Sequence, residues 1–312
     1  MSKKYKLILA ILISVIVAEL VLLLVIYLKG SNFAVLNPKG TVALQQRNLL
    51  IFAAALSLVV VLPVFALTFF IAWKYRAGNI KADYKPDWDH NKKIEAIWWG
   101  VPIALILVLG VVTWNSSHAL DPRKALNSNK KPVKVQVVAL QWKWLFIYPE
   151  YNVASVNYLQ FPEDTPVNFE ITADAPMNSF WIPQLGGQIY AMSGMKTQLH
   201  LMANEVGDYN GSSANISGEG FAGMKFIARA SSQADFDSWI QTLKYSSNTL
   251  NQDAYAALAK PSKDNPPATF VGESNLFDTI VMKYMEPGGA AKPDAQAPMQ
   301  KEQGTEHNAS HN

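Results

Sequence analysis

VKVQVVALQWKWLFIY, Val133 to Tyr148, decides how the second half of this chain folds. Val133–Leu140 alternates with period two, the mark of a strand, and Trp142–Tyr148 is aromatic and β-branched. Downstream, PVNFEIT, SFWIP, QIYAM, KTQLHLMA and GMKFIARA continue the series at short intervals, separated by Pro, Gly and Asn. Short strands with frequent turn signals predict a β-sandwich or Greek-key barrel. Helix-like stretches follow at Ala234–Tyr245 and Leu276–Met285. From Pro287 the chain is Gly, Ala, Pro, Gln and His, a composition that predicts disorder.

Upstream, Asn115 to Pro132 reads as a polar linker, and before it lie three apolar blocks. Leu49–Trp73 is uncharged and interrupted only by Pro63; Ala96–Trp114 carries Pro102 in its first turns. Both suit membrane helices, which need about 20 apolar residues, and neighbouring helices compensate the prolines. Leu7–Leu28, behind Lys3, Lys4 and Lys6, reads as a retained third helix or as a secretory signal. Glu19 near its middle is unusual for a signal core and costly against lipid. Lys74, Arg76, Lys81, Lys85, Lys92 and Lys93 crowd one loop, whereas Lys29, Lys39 and Arg47 are alone between the first two blocks. The crowded loop is therefore cytoplasmic, and everything after Trp114 lies outside.

Half of the 312 residues are hydrophobic, the formal charge is +3, and there is no cysteine. Disulfides, covalent haem c, cysteine-bound iron–sulfur or zinc, and thiolate copper are excluded. No basic stripe suggests nucleic acid, and no nucleophile–base or paired-carboxylate constellation suggests a separate enzyme. The expected organisation is an N-terminal segment (1–30), a helical hairpin (31–118) with its cytoplasmic loop (74–94), and a β-domain (119–230). A helical extension (231–286) and a tail (287–312) complete it.

A two-helix membrane hairpin carrying a cupredoxin-like Greek-key domain resembles subunit II of the haem–copper oxidases. QWKWLFIYPE (Gln141–Glu150), NSFWIPQLG (Asn178–Gly186) and KIEAIWWGVP (Lys93–Pro102) resemble segments of that family, as do LNPKG and QQRNLL near Leu36 and Gln45. YNGSSANISGEGFAGMKF (Tyr209–Phe226) resembles its copper loop, which carries two cysteines four apart, a glutamate between them, a histidine and a methionine. On that resemblance the first copper histidine falls on Asn178 and the cysteines on Ser213 and Ser217. The glutamate falls on Asn215, the second histidine on Phe221, and only Met224 matches. Hydroxyl, amide and phenyl groups do not replace bridging thiolates and imidazoles.

The pattern resembles the ubiquinol oxidase branch, the cytochrome bo type. The resemblance implies a structural and assembly subunit of a proton-pumping ubiquinol oxidase in the bacterial inner membrane, its C-terminal domain periplasmic. It implies no cofactor in this chain, with haems and copper in subunit I, and further small membrane subunits as partners. It also implies that Glu95 lies at the cytoplasmic mouth of the lysine-lined proton channel of subunit I. The sequence departs from those relatives at Gln141, where aspartate is usual, and at Ser31, where a lipidated cysteine is usual.

Simpler readings stand beside these. Glu95 is also an acid suited to a helix N-terminus. Trp142 and Trp144 read as packing residues, His200 as a hydrogen-bonded structural histidine, and Met192, Met195 and Met224 as core fillers. His307 and His311 belong to a solvated tail. The competing function is a membrane-anchored β-domain, such as an assembly factor, without an oxidase partner.

Overall fold

The computed structural model describes Glu19, residues 33–80, 82, 89–272 and 275–285. Apart from Glu19, the readings of residues 1–30 fall outside the described residues, as do those of 287–312.

From residue 33 onward, two long helices come first among the described residues, α1 (Thr41–Lys74) and α2 (Lys92–Ala119). At about 1.5 Å per residue α1 exceeds the roughly 30 Å of a bilayer core. Its first turns instead join the outer domain. Val42 packs against the sandwich core, Ala43 is buried, and the Ala43 N–H donates to Leu185 O at 3.1 Å. Gly40 pairs with Ala203 in an isolated bridge, and a Cβ there would lie 2.7 Å from the Met202 carbonyl. Beyond this junction both helices expose their apolar side chains, with no buried residue in α2 and only Ala43 in α1. Apolar surface of that extent needs lipid or other helices around it. The N-terminal end of α1 and the chain after α2 both meet the β-domain.

The β-domain is a sandwich. Its strands are β1 (Val133–Leu140), β2 (Lys143–Tyr148), β3 (Val153–Val156), β4 (Tyr158–Pro162), β5 (Val167–Ala173), β6 (Asn178–Trp181), β7 (Ile189–Ala191), β8 (Thr197–Leu201), β9 (Gly207–Ser213), β10 (Lys225–Ser231) and β11 (Ala268–Val271). One sheet runs β11-β3-β2-β1-β5-β8 and the other β4-β10-β9-β6-β7. Most neighbours are antiparallel, but β1 with β5 and β4 with β10 are parallel, as crossovers between sheets demand. Between the sheets sits an aromatic core. The Phe180 and Phe226 rings stack at 5.2 Å, and Trp144 meets Phe180 edge-on at 5.4 Å.

The alternation in Val133–Leu140 predicts one dry face, yet β1 is buried almost throughout. Val138, Leu140, Leu145 and Ile147 face away from the sandwich core and form a second core with Leu250, Leu276, Phe277 and Ile280. Of the C-terminal segment, α3 (Gln233–Lys244) packs Phe236, Ile240 and Leu243 into the first core, while α4 (Gln252–Ala259) and α5 (Leu276–Met282) cover the second. The predicted helices are present, but α4 and a strand lie between them. β11 pairs with β3 and extends the first sheet. At four residues, β11 is too short to show a period. β3, β4 and β9 also escape the sequence reading, and β9 occupies the first residues of the stretch read as the copper-like loop.

Candidate functional site

The copper-like loop leaves the sheet at Ser213, the end of β9, and returns at Lys225, the start of β10. Between them a 3-10 turn spans Phe221–Gly223. The Ser213 N–H donates to Met224 O at 3.1 Å, which closes the loop at its base. Ser213 Oγ donates to Asn178 Oδ1 at 3.0 Å, so the start of β6 and the end of β9 meet side chain to side chain. Met224 is fully buried. Asn215 turns back and donates through Nδ2 to Met177 O at 2.9 Å. Ser217 presents a buried hydroxyl without a hydrogen-bond partner, and Phe221 is partly buried.

The structure thus brings Asn178, Ser213 and Met224 together and holds Asn215, Ser217 and Phe221 on the same short loop. The donor set is one amide pair, two hydroxyls, a phenyl ring and one thioether. It does not fit a binuclear copper centre, whose soft or imidazole ligands must outcompete water.

Trp142 explains why the loop keeps its shape. It lies in the two-residue turn between β1 and β2, at a φ of 66°, an uncommon region for a bulky residue. Its Nε1–H donates to Ser217 O at 3.1 Å. A Cβ on Gly220 would stand only 2.3 Å from its ring, so the indole presses directly on the loop backbone. Lys263 lies over the indole and pairs with the loop: its Nζ is 5.9 Å from the Trp142 ring centroid and 2.6 Å from Glu219 Oε2. We expect Gly220→Ala to displace the indole and lower the stability of the outer domain by about 1–3 kcal/mol, read by chemical denaturation. An unchanged midpoint would show that the indole is free to move. The packing reading of Trp142 and Trp144 therefore gains a specific form: Trp144 fills the core, whereas Trp142 clamps the loop.

His200, on β8, sets its Nδ1 3.0 Å from Pro122 O and ties the chain after α2 to the sheet.

Two buried polar clusters have no sequence signal, because their members are about a hundred residues apart. Asp174, at the end of β5, receives hydrogen bonds from Tyr255 OH at 2.6 Å, Tyr284 OH and Lys283 Nζ at 2.8 Å. Burial opposes ionisation of Asp174, but the bonds from Lys283, Tyr255 and Tyr284 outweigh it and hold the carboxyl below its ordinary range. Lys143, buried on β2, donates to Leu258 O and Lys260 O at 2.8 Å and to Ser262 Oγ; burial lowers its pKa. Both clusters fasten the C-terminal segment to the sandwich.

Glu95 sits at the opposite end, in the first turn of α2. Asn91 caps that helix, accepting from the N–H groups of Lys93 and Ile94, and Glu95 Oε1 accepts the Asn91 N–H at 3.0 Å. His90 Nδ1 lies 2.7 Å from the same oxygen, and the Glu95 side chain is 37% exposed. The carboxylate is a helix-end acid in contact with water and with a second titratable group.

A family model for the cytochrome c oxidase subunit II periplasmic domain matches residues 154–231, and one for the COX aromatic rich motif matches 244–288. With two apolar helices ahead of a cupredoxin-like domain, the class is a membrane-anchored haem–copper oxidase subunit II whose C-terminal domain is periplasmic. Relatives extend the likeness beyond these segments. The chain is 55% identical over 258 residues to the cytochrome bo(3) ubiquinol oxidase subunit 2 of Pseudomonas putida, covering 82% of each chain. It is 52% identical to the protein of that name from Pseudomonas aeruginosa, covering 84% of this chain and 80% of that one. To the ubiquinol oxidase subunit 2 of Acetobacter aceti it is 49% identical, over 82% and 84% of the two chains. The chain belongs to the cytochrome bo(3) ubiquinol oxidase subunit 2 family.

Proposed function

We propose that this chain serves a bacterial inner-membrane ubiquinol oxidase as a subunit without a redox centre. In this reading α1 and α2 pack against a haem-bearing subunit I and further membrane subunits, and haems and copper belong to subunit I. The reading rests on one observation above the others: a cupredoxin-like loop held in shape by Trp142 and Lys263, with hydroxyl, amide and phenyl groups at the positions where the family's copper ligands fall. A cytochrome c-fed enzyme needs an electron relay through its outer domain. Ubiquinol is a lipid that delivers electrons within the membrane, so its oxidase can keep the domain without the metal. The exposed apolar flanks of both helices support a membrane partner. Purification of the tagged full chain in mild detergent tests this. The expected result is a complex with haem and ubiquinol oxidase activity; recovery of the chain alone, in a state that folds and stays soluble, supports the free-standing assembly factor instead.

Glu95 is assigned to proton collection at the cytoplasmic mouth of the lysine-lined channel of subunit I. Its exposure and its contact with His90 support that role, since a proton-collecting group must exchange with water. Glu95→Gln in the assembled oxidase is expected to slow proton uptake in the reductive phase by about tenfold, less than the loss of an acid–base group at a reacting centre because water still delivers protons to the entry, with haem content unchanged. Unaltered turnover and haem-reduction kinetics would leave Glu95 only its cap.

A further inference from the structure

Where the outer ends of α1 and α2 meet the sandwich, a cavity of about 370 Å³ opens between α1, the chain after α2, and the β6–β7 connection. This volume lies within the range of small-molecule pockets, about 300–1,000 Å³. Gln45 and Gln46 form one wall, Asp121, Lys124 and Asn127 another, and Gln188 a third. The His200–Pro122 hydrogen bond holds the second wall in place.

Five of its polar side chains are uncommitted. The side chains of Gln45, Gln46, Asn127, Gln188 and Lys124 make no hydrogen bond or ion pair within the described residues. Asp121 caps only its own turn, through the Arg123 N–H. Asp121 and Lys124 are joined by a backbone turn bond, from the Lys124 N–H to Asp121 O at 2.9 Å, yet their side chains form no ion pair. One carboxylate without an ion-pair partner and one ammonium without a partner line a cavity rich in amide donors and acceptors.

Its level is equally specific. Gln46 precedes the apolar run that starts at Leu49, and Asp121 follows Trp114, where the other run ends. By helical rise these positions stand roughly 5–10 Å outside the two apolar runs, at and just beyond a headgroup layer of about 5–7 Å. Below the cavity both helices offer exposed apolar side chains along their length.

We propose that this cavity seats the headgroup of a phospholipid from the periplasmic leaflet, of the zwitterionic aminoethyl phosphodiester class. Lys124 and the side-chain amides take the phosphodiester oxygens, Asp121 takes the ammonium, and the acyl chains lie along α1 and α2. The balance of one negative and one positive free group selects a zwitterion over an anionic headgroup, which Asp121 repels. The seat fills the junction between the anchor and the outer domain.

The test uses the full chain in its native membranes, with a photoreactive benzoylphenylalanine at position 188 and, independently, at position 127. On irradiation and intact-mass analysis, both positions are expected to carry an adduct with the mass of phosphatidylethanolamine. Lys124→Glu should lower that adduct about tenfold or more, because reversing one cation beside a lipid phosphate removes a favourable interaction and adds a repulsive one. Lys124→Arg should retain it, and the amount of membrane-inserted chain should not change. A polypeptide adduct would identify a neighbouring subunit as the occupant and overturn the proposal. So would equal labelling by phosphatidylglycerol, or labelling indifferent to Lys124→Glu. Absence of any lipid adduct, together with an adduct of the mass of glycerophosphoethanolamine when that compound is added at millimolar concentration, would assign the site to a soluble phosphodiester and also overturn it. Loss of oxidase activity in the parent protein bears on the proposed function and not on this labelling.

Discussion

Five substitutions are expected to turn the colourless outer domain into a copper protein. Asn178→His, Ser213→Cys, Asn215→Glu, Ser217→Cys and Phe221→His, with the native Met224, place two thiolates and two imidazoles on the loop. The physical basis is that the loop's shape comes from groups other than these. The Trp142 indole and the Ser213–Met224 backbone bond define its base and flank, and both bonds use backbone atoms of Ser217, Ser213 and Met224 that the substitutions keep. Asn178 and Ser213 already meet at 3.0 Å, so an imidazole and a thiolate at those positions start as neighbours. Ser217→Cys replaces a buried hydroxyl that has no partner, which removes an unsatisfied group. Phe221→His is the costly change: a polar ring in a partly buried position costs about 1–3 kcal/mol until metal binds. Both cores are built from residues 133–281 with only Val42 from the anchor packing against them, so the outer domain is a reasonable vehicle. Copper titration followed by visible absorption and metal analysis should give two coppers per variant domain and intense thiolate-to-copper bands, with none for the parent. A folded variant that takes up no copper would show that the loop backbone departs from the copper-binding form, and the correspondence of these positions would fail with it.

Asp174→Ala is expected to be among the most destabilising single changes in the outer domain. It strips the partner from Tyr255 and Tyr284 and leaves Lys283 without its ion pair, at a side chain only 4% exposed. Unpaired hydroxyls in such a setting cost about 3 kcal/mol together. For a domain of this size that corresponds to a fall in melting temperature of roughly 6–12 °C. The effect should be accompanied by proteolytic loss of the segment around α5, since Asp174 is its polar tether. The pH dependence has a definite sign. Asp174 titrates lower in the fold than the ordinary 3.8 of the free carboxyl, so its contribution is complete above that value. It is lost as pH falls through the depressed folded value. The stability gap between parent and Asp174→Ala should therefore be constant from neutral pH down to about 4 and narrow below it. A gap that is absent at pH 7 would mean that water replaces the carboxylate without cost.

Much of the architecture is legible in local sequence. The two apolar runs, their bounding tryptophans and the lysine-rich loop between them need no tertiary information, because a bilayer imposes length and charge asymmetry on each segment separately. The strands β1, β2, β5, β8 and β10 are legible for a similar reason: each has its own period or β-branched composition. The strands that escaped are those whose identity comes from their neighbours. β9, GDYNGSS, is polar and glycine-containing, and it is a strand because β10 and β6 supply its hydrogen bonds. β11 is a strand because β3 offers it an edge. The double burial of β1 follows the same logic, since the second face is covered by helices more than a hundred residues away.

At the loop, the sequence by itself determined which chemistry is present: no thiolate, no imidazole, and hydroxyl and amide groups in their place. Residue type fixes donor softness, and softness does not depend on fold. Only the tertiary structure decided that Asn178, Ser213 and Met224 meet, that Trp142 clamps Ser217 and Gly220, and that Asp174 and Lys143 hold the C-terminal segment. The same holds for the cavity at Gln188 and Lys124, which exists because the anchor and the sandwich are joined at Gly40 and Pro122. These are contacts between groups far apart in the chain. Their free energy depends on distance and desolvation in three dimensions, and no spacing along the sequence records it.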